Sequence, residues 1–148
     1  MTADDVQARW RARRAPDGDL VLFGDGTLAV MELQEFTGSP QWEWREIVRA
    51  RQWTASHWID VDLTLASCDR AGSRALAGES AAHGSIGWVA LTRDGGDTLE
   101  WLAVCRYSDP FAVVELDDTA VTATSTAGQV WRFPRSAPER VTITSAPR

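Results

Sequence analysis

The alternation of apolar and polar positions is most regular between residues 86 and 133. Five short runs of apolar, β-branched and aromatic residues are separated there by clusters of Gly, Asp, Ser and Pro. Runs of this length and composition are typical of antiparallel strands joined by tight turns. The pattern therefore predicts a β-meander over 86–133, and we expect the rest of the chain to cover it.

The N-terminal residues 1–15 have the pattern of a short helix. Thr2 is a suitable N-cap, acidic residues follow in the first turn, and arginines lie near the end. This order matches the charge preferences of helix termini. Val6 and Trp10 are four positions apart and predict a narrow apolar stripe on one helix face.

Two further segments precede the middle of the chain. Residues 20–23 and 27–36 predict a hairpin around a Gly-Asp-Gly turn. Segment 40–53 is ambiguous: the Ser-Pro pair at its start favours a helix, whereas the alternation of Trp42 and Trp44 favours a strand. We expect a strand, because the neighbouring segments are strand candidates.

The alternation is clean again in residues 57–66, which predict one half-buried strand whose polar face carries Trp58, Asp60 and Asp62. Residues 67–85 contain few large apolar side chains and many Ala, Gly and Ser. They are interpreted as a long connection, for which a functional loop is a common reason. Residues 141–144 predict a last edge strand.

Together these elements predict a mainly β protein, with a β-rich α+β fold as the alternative. The 148 residues favour a single domain, 1–148. We expect about eight to ten strands and one or two helices. The antiparallel meander would form a sheet, a sandwich or an open barrel next to the short N-terminal helix.

The composition of the chain limits the kinds of partner that we expect. The net charge of −6 gives no general attraction to nucleic acid or to anionic lipid, so neither is expected as a partner. No apolar run is long enough for a membrane span, and the N-terminus lacks the apolar core of a signal peptide. We therefore expect a cytoplasmic protein in which Cys68 and Cys105 are reduced thiols, with Cys105 in the core.

No cofactor is expected. The two cysteines have no histidines at ligand spacing, so they predict no zinc site. Glycine-rich phosphate and dinucleotide motifs are also absent from the sequence.

Tryptophan is unusually frequent, with eight in the chain. Trp88, Trp101 and Trp131 lie in alternating strands and are predicted to be core residues. Four others cluster within seventeen residues, and they are either core residues or an exposed aromatic surface for a sugar ring or a protein partner. These four are Trp42, Trp44, Trp53 and Trp58.

The residues His83 and Ser85 allow a hydrolase hypothesis, with Glu79 orienting the histidine. A His two positions from a Ser in sequence is not a catalytic geometry, because triad members converge from distant segments. A Gly-rich turn is the alternative interpretation.

Acidic residues allow a second chemical hypothesis. Asp60 and Asp62, together with Glu100, have the residue types for a metal site or a glycosidase pair. The solvated side of a strand is the alternative interpretation.

One combination of short motifs resembles a loose group of small, largely uncharacterised bacterial proteins. The group has Gly-Glu, then Gly-Ser-x-Gly before an apolar run, then a strand with Trp, then Ser-(Asn or Asp)-Pro-Phe. The matching residues are Gly78, Glu79, Gly84, Ser85, Gly87, Trp101, Ser108, Asp109, Pro110 and Phe111. The resemblance covers about a third of the chain and implies a fold more than an activity. Similar small acidic proteins often turn up as immunity partners of bacterial toxins, and this is the function that the resemblance suggests.

We therefore expect a non-enzymatic protein-binding domain, most concretely an immunity-type inhibitor of a bacterial toxin. Its acidic region 58–118 would meet a basic partner, with tryptophans as anchors. The alternatives are a small-ligand or carbohydrate binder that uses exposed tryptophans, and the hydrolase. A homo-oligomer is compatible with the sequence. The predicted binding residues are Trp42, Trp44, Trp58, Asp60, Asp62, Glu79 and His83.

Overall fold

The computed structural model describes residues 1–35 and 42–145, and for residues 34, 35, 42 and 43 it describes the backbone alone. These residues form thirteen strands, one α-helix and two short 3-10 turns. The helix α1 spans Ala3–Arg11, and the 3-10 turns span Asp94–Gly96 and Pro138–Arg140. The strands are β1 (Arg14–Pro16), β2 (Leu20–Phe23), β3 (Leu28–Glu35), β4 (Trp42–Ala50), β5 (Trp58–Asp60), β6 (Leu63–Arg70), β7 (Ser73–Ser80), β8 (His83–Arg93), β9 (Thr98–Cys105), β10 (Phe111–Leu116), β11 (Ala120–Ser125), β12 (Gln129–Pro134) and β13 (Thr142–Ser145).

The helix α1 confirms the predicted N-terminal helix but is shorter than 1–15. Thr2 and Asp5 form a capping box, in which the Asp5 N–H donates to the Thr2 hydroxyl at 3.2 Å. Val6 and Trp10 are buried, as their spacing predicts. The helix ends because Arg13 adopts a left-handed conformation, with φ of 55°, and the chain then enters β1.

Seven strands form the larger sheet, in the order β4-β3-β2-β9-β8-β7-β6, with every neighbouring pair antiparallel. The predicted hairpin is confirmed as β2 and β3, although residue 36 lies outside the described residues. The strand interpretation of 40–53 is confirmed by β4, which ends at Ala50; residues 40 and 41 lie outside the described residues, and 51–53 follow the strand.

The predicted meander is present as strands but not as one sheet. Strands β8 and β9 lie in the seven-stranded sheet, whereas β10, β11 and β12 join β13 in a four-stranded sheet. The reason is visible in the burial: the last five residues of β9 are all buried, so the strand is covered on both faces, whereas β10 has exposed residues along one face. The two strands thus belong to different layers. β13 confirms the predicted last edge strand.

Two cores hold the layers together. The larger core lies between the two sheets and includes Trp101, Phe111 and Trp131. The smaller core lies on the other face of the seven-stranded sheet, which α1 and the paired strands β1 and β5 cover. The result confirms a mainly β, single-domain fold with antiparallel sheets and one short N-terminal helix.

The prediction of a long loop over 67–85 is wrong, because these residues form the second half of β6, all of β7 and the start of β8. Ala71 and Gly72 have φ of 49° and 83°, as a two-residue hairpin turn requires. Their small neighbours are core residues: Ala75 and Ala77 are fully buried where β10 crosses close to β6 and β7. Small side chains here reflect close strand packing.

The prediction of one strand over 57–66 is also wrong. Val61, which is fully buried, donates its N–H to the carbonyl of Arg13 and separates β5 from β6. β5 pairs with β1, whereas β6 pairs with β7. Asp60 therefore lies on β5 and Asp62 in the bend after it, so the two carboxylates do not share a strand face.

Candidate functional site

Three connections of the chain meet at one end of the seven-stranded sheet. They are the bend between β5 and β6, the turn between β7 and β8, and the loop between β9 and β10. Strand register brings them together, because Glu79 pairs with Leu63 on one side and with Gly87 on the other. The Asp109 N–H also donates to the carbonyl of Ser85 at 2.9 Å. This surface is called the acidic end, and it is defined by Asp62, Glu79, His83, Tyr107 and Asp109.

The carboxylates of the acidic end are not neutralised by an ion pair within the described residues. In that part of the chain, Asp62, Glu79 and Asp109 make no ion pair, seven further acids also make none, and nine acids each pair with an arginine. Asp62 is exposed, and Glu79 and Asp109 are partly exposed. Their charge is therefore directed to solvent without local compensation. The paired acids are Asp17, Asp25, Glu32, Asp60, Asp69, Glu100, Asp117, Asp118 and Glu139.

Apolar and aromatic side chains accompany this charge. Tyr107 is 64% exposed on the β9–β10 loop, with the Arg106 guanidinium 5.8 Å from its ring centre. Leu63 and Leu65, at the start of β6, are 41% and 47% exposed. Exposed aromatic and aliphatic side chains therefore lie next to the carboxylates of the acidic end.

The β9–β10 loop packs closely against strand β8. Ser108 is buried, and its hydroxyl donates to the Asp109 carbonyl at 2.8 Å. Gly87 lies directly under the loop: an added Cβ would lie 2.8 Å from Cδ2 of Phe111 and 2.5 Å from Oγ of Ser108. Only glycine allows this approach, so the loop has a fixed height above β8.

Asp19 fixes the other end of the loop, and the sequence analysis did not select it. Its carboxylate accepts the N–H of Arg106 at 2.8 Å. Burial raises the pKa of Asp19, although the hydrogen bond and the charge of Arg106 act in the opposite direction. The signal in the sequence was only an Asp in a Pro-Asp-Gly-Asp turn, which favours a local turn role. Tyr107 was missed for a similar reason, because it lies between turn residues.

Most residues of the short-motif resemblance meet at the acidic end. Ser85, Gly87 and Ser108–Phe111 contact one another there, as described above. Gly78 lies beside it, where an added Cβ would collide with the Leu63 carbonyl and approach the Trp88 ring at 2.9 Å. Packing thus explains why Gly78 and Gly87 are glycines. Trp101 lies elsewhere, between the sheets, and donates its indole N–H to the Arg135 carbonyl at 3.1 Å.

The tryptophans selected from sequence do not form one surface. Trp44 packs at the border of the core between the sheets, where the Arg140 guanidinium lies 5.4 Å from its ring centre. Trp53 and Trp58 lie on the opposite side of the seven-stranded sheet, with ring centres 6.4 Å apart. Arg9 covers Trp58 at 4.5 Å. The side chain of Trp42 lies outside the described residues.

The three tryptophans predicted as core residues are confirmed. Trp88, Trp101 and Trp131 are each at most 2% exposed. Cys105 is fully buried, as predicted, and Cys68 is half-buried; both are free thiols.

The described residues do not show the geometry that the hydrolase hypothesis or the metal and glycosidase hypothesis would require. In the described residues, no hydrogen bond joins His83 to Ser85; the two lie on the same strand, two positions apart. Asp60 pairs with Arg14 at 3.0 Å and Glu100 with Arg93 at 3.4 Å, so these carboxylates do not face a common ion. No group of three or more His, Cys, Asp or Glu in 1–35 and 42–145 is arranged to hold a metal ion.

No protein-family model, curated protein or solved structure matches the chain. Across the described residues, none of the helices has the length and apolarity needed to cross a bilayer. The class of protein is therefore defined by the fold alone, as a mainly β domain of two antiparallel sheets with a short helix on the larger one.

Proposed function

We propose that the chain is a protein-binding domain and that its contact surface is the acidic end. The observation that supports this most directly is that three acids lie together at one end of the sheet with exposed apolar side chains. Within the described residues, Asp62, Glu79 and Asp109 make no ion pair, and the exposed side chains of Tyr107 and Leu63 lie beside them. A surface of this kind attracts a basic partner and offers it an aromatic anchor.

The support beneath the surface favours such a role. The β9–β10 loop is fixed by Asp19 on one side and by Ser108 and Gly87 on the other. A rigid loop loses little conformational freedom when a partner binds, which improves affinity without added contacts. The net charge of −6 extends the attraction beyond the contact itself and raises the association rate.

The most concrete form of the proposal is an immunity-type inhibitor, which acts by occupying a basic face of a bacterial toxin. It needs neither a catalytic residue nor a cofactor of its own. Binding of this type depends on salt, because exposed charges more than about 8–10 Å apart are largely screened at physiological ionic strength. Strong capture at low salt that weakens as salt rises is the expected behaviour.

The test is capture of partners from the native cells with the tagged chain, read by mass spectrometry. One stoichiometric basic protein supports the proposal, and no captured protein at low salt refutes it. A variant with three neutralised acids at the acidic end should capture less partner, and its capture should depend less on salt. A control variant with three neutralised acids away from the acidic end should behave like wild type. The first triple is Asp62→Asn, Glu79→Gln and Asp109→Asn, and the control is Asp4→Asn, Glu32→Gln and Glu46→Gln.

A small-ligand binder is the second candidate, favoured by the contact between Trp53 and Trp58 on the outer face. Stacking of a sugar ring on this pair would displace Arg9 from Trp58 and change tryptophan emission. Titration with a glycan panel tests this candidate, and unchanged emission counts against it. The largest of the described grooves, about 490 Å³, is lined by Gln7, Phe23 and neighbours but by no tryptophan.

A further inference from the structure

We propose that the free edge of β6 binds an extended, basic segment of the partner as an additional strand of the seven-stranded sheet. This inference rests on the proposed function and adds a binding mode and a partner chemistry to it. The edge begins at the acidic end, because Leu63 follows Asp62 directly and pairs with Glu79.

The two edges of the seven-stranded sheet differ in their protection. Both edge strands contain a bulge, so the difference lies in their charges. β4, at one edge, carries charges at residues 43, 45, 46 and 49, and charged side chains on an edge strand prevent further strand pairing. β6, at the other edge, has no charged residue and no proline in the six positions from Leu63 to Cys68. Its two charged residues, Asp69 and Arg70, are each neutralised by an ion pair, at 2.6 and 2.9 Å.

The side chains of β6 are unusually exposed for a strand. Six of its eight residues are exposed, among them Leu63 and Leu65. A bulge at Leu65 interrupts the pairing with β7, and from Ala66 to Arg70 the register is regular. An edge of this kind presents unpaired backbone N–H and C=O groups beside two apolar side chains, as strand-addition sites do.

The edge is also ordered before any partner binds. Ala66 and Cys68 pack against the core between the sheets, where β10 crosses close to β6. The ion pair between Arg70 and Asp118 ties the end of β6 to the turn after β10. The backbone groups of the edge are therefore held in strand geometry, and adding a strand orders only the incoming segment.

The negative charges near β6 favour a basic segment as the incoming strand. Asp62 and Glu79 lie at the start of β6, and the exposed Glu115 lies on the neighbouring β10; none of the three has an ion pair in the described residues. A second copy of this chain would bring another net charge of −6 to the same place. A segment that alternates Lys or Arg with apolar residues matches both the carboxylates and the leucines.

The probe is a fluorescein-labelled peptide that alternates Lys or Arg with Val and has the eight-residue length of β6. Fluorescence anisotropy measures binding, and hydrogen exchange locates it. We expect slower exchange of the amides in β6 but not in β4. Two control peptides should bind at least about tenfold more weakly: one with backbone N-methylation, which removes the donors, and one with Glu in place of the cations.

Matched variants test the site on the protein side. Leu65→Lys places a charge on the β6 edge, and Val48→Lys does the same on β4, at side chains that are 47% and 53% exposed, so neither should disturb the fold. We expect Leu65→Lys to weaken peptide binding at least about tenfold and Val48→Lys less than about twofold. Equal binding of the N-methylated peptide, or equal effects of both variants, overturns the inference.

Two outcomes separate this inference from the proposed function. If Leu65→Lys captures the cellular partner as wild type does while the acidic-end triple fails, strand addition is refuted and the protein-binding proposal stands. If light scattering finds a dimer that Leu65→Lys converts to a monomer, the occupant is a second copy and the inference is overturned. If no partner is captured from the cells, the proposed function is refuted. The peptide experiment tests strand addition at the β6 edge independently of that result.

Discussion

Replacing Gly87 by alanine tests whether the close approach of the β9–β10 loop to β8 is a requirement of the fold. The added Cβ would collide with the backbone carbonyl of Asp109 and lie 2.5 Å from Oγ of Ser108 and 2.8 Å from Cδ2 of Phe111. None of these atoms belongs to a flexible side-chain end, because Ser108 is 1% and Phe111 0% exposed. Relief of the clash therefore requires the loop to move away from the sheet.

The change in unfolding free energy caused by Gly87→Ala is the sum of two opposing effects. Overpacking a buried position costs about 1–3 kcal/mol, and a backbone carbonyl among the contacts places this site near about 3. The reduced freedom of the unfolded chain returns about 0.4–1 kcal/mol for a Gly-to-Ala change. The net loss of unfolding free energy is about 2 kcal/mol, which lowers Tm by about 4–8 °C in a domain of this size.

Gly84→Ala is the matched control on the same strand. Among the described residues, an added Cβ at Gly84 has no heavy atom within 4 Å, and the φ of Gly84 lies outside the left-handed region. Only the unfolded-state effect remains, so this variant should equal or exceed wild type by about 0.4–1 kcal/mol. Urea unfolding followed by tryptophan fluorescence measures both variants. If Gly87→Ala is as stable as Gly84→Ala, the loop is not fixed by this contact and the argument for a rigid acidic end fails.

Three further predictions concern thiols, acid stability and an ion pair. Native protein should react with a thiol reagent at Cys68 alone, because burial raises the pKa of Cys105 well above its usual value and excludes the reagent; denatured protein should react at both. Hydrogen bonds from Thr119 and Ala120 lower the pKa of Asp117 from 3.8 to about 2, so its stabilising effect is complete above pH 3.8 and is lost as pH falls through about 2. Asp117→Asn should therefore unfold more easily than wild type at pH 6, and the difference should vanish near pH 2. Arg49→Gln should lower the unfolding free energy by about 1–3 kcal/mol, because it leaves the Glu139 carboxylate, paired at 2.7 Å, buried without a cation.

For each of these three predictions, one experimental result would contradict it. Equal labelling of both cysteines in native protein would place Cys105 outside the core. A stability difference for Asp117→Asn that persists unchanged at pH 2 would exclude the carboxylate charge as its cause. For the ion pair, Arg51→Gln is the control, since its partner Asp25 is exposed and 3.9 Å away; equal losses in the two variants would show that burial of Glu139 does not matter.

Local patterns predicted the strands where one face is buried and the other solvated. β10 and β11 lie within the predicted meander 86–133 and β12 ends one residue beyond it, because alternation with a period of two is a direct result of strand geometry. The same rule failed for β7, where small residues on both faces reflect close packing against Trp88 and β10. Nothing within residues 67–85 indicates which strand will lie over them.

The candidate site was predicted only in part. Asp62, Glu79 and His83 were selected from sequence and lie together at the acidic end. Asp60 was selected on the same grounds, but it pairs with Arg14 on β5, because a buried valine turns the chain between the two aspartates. Tyr107 could not be recognised from its neighbours, since its exposure depends on how the loop is held.

The sequence by itself determined the elements: the capped helix, the strands of alternating polarity and the turns between them. These features arise from interactions among residues a few positions apart, which a linear pattern records. The tertiary structure decided how strands β8 to β12 divide between two sheets, which acids pair with an arginine, and which strands lie at the edges of the larger sheet. Those outcomes depend on contacts between residues far apart in the chain, such as Gly87 with Phe111 or Arg49 with Glu139, which no local pattern specifies.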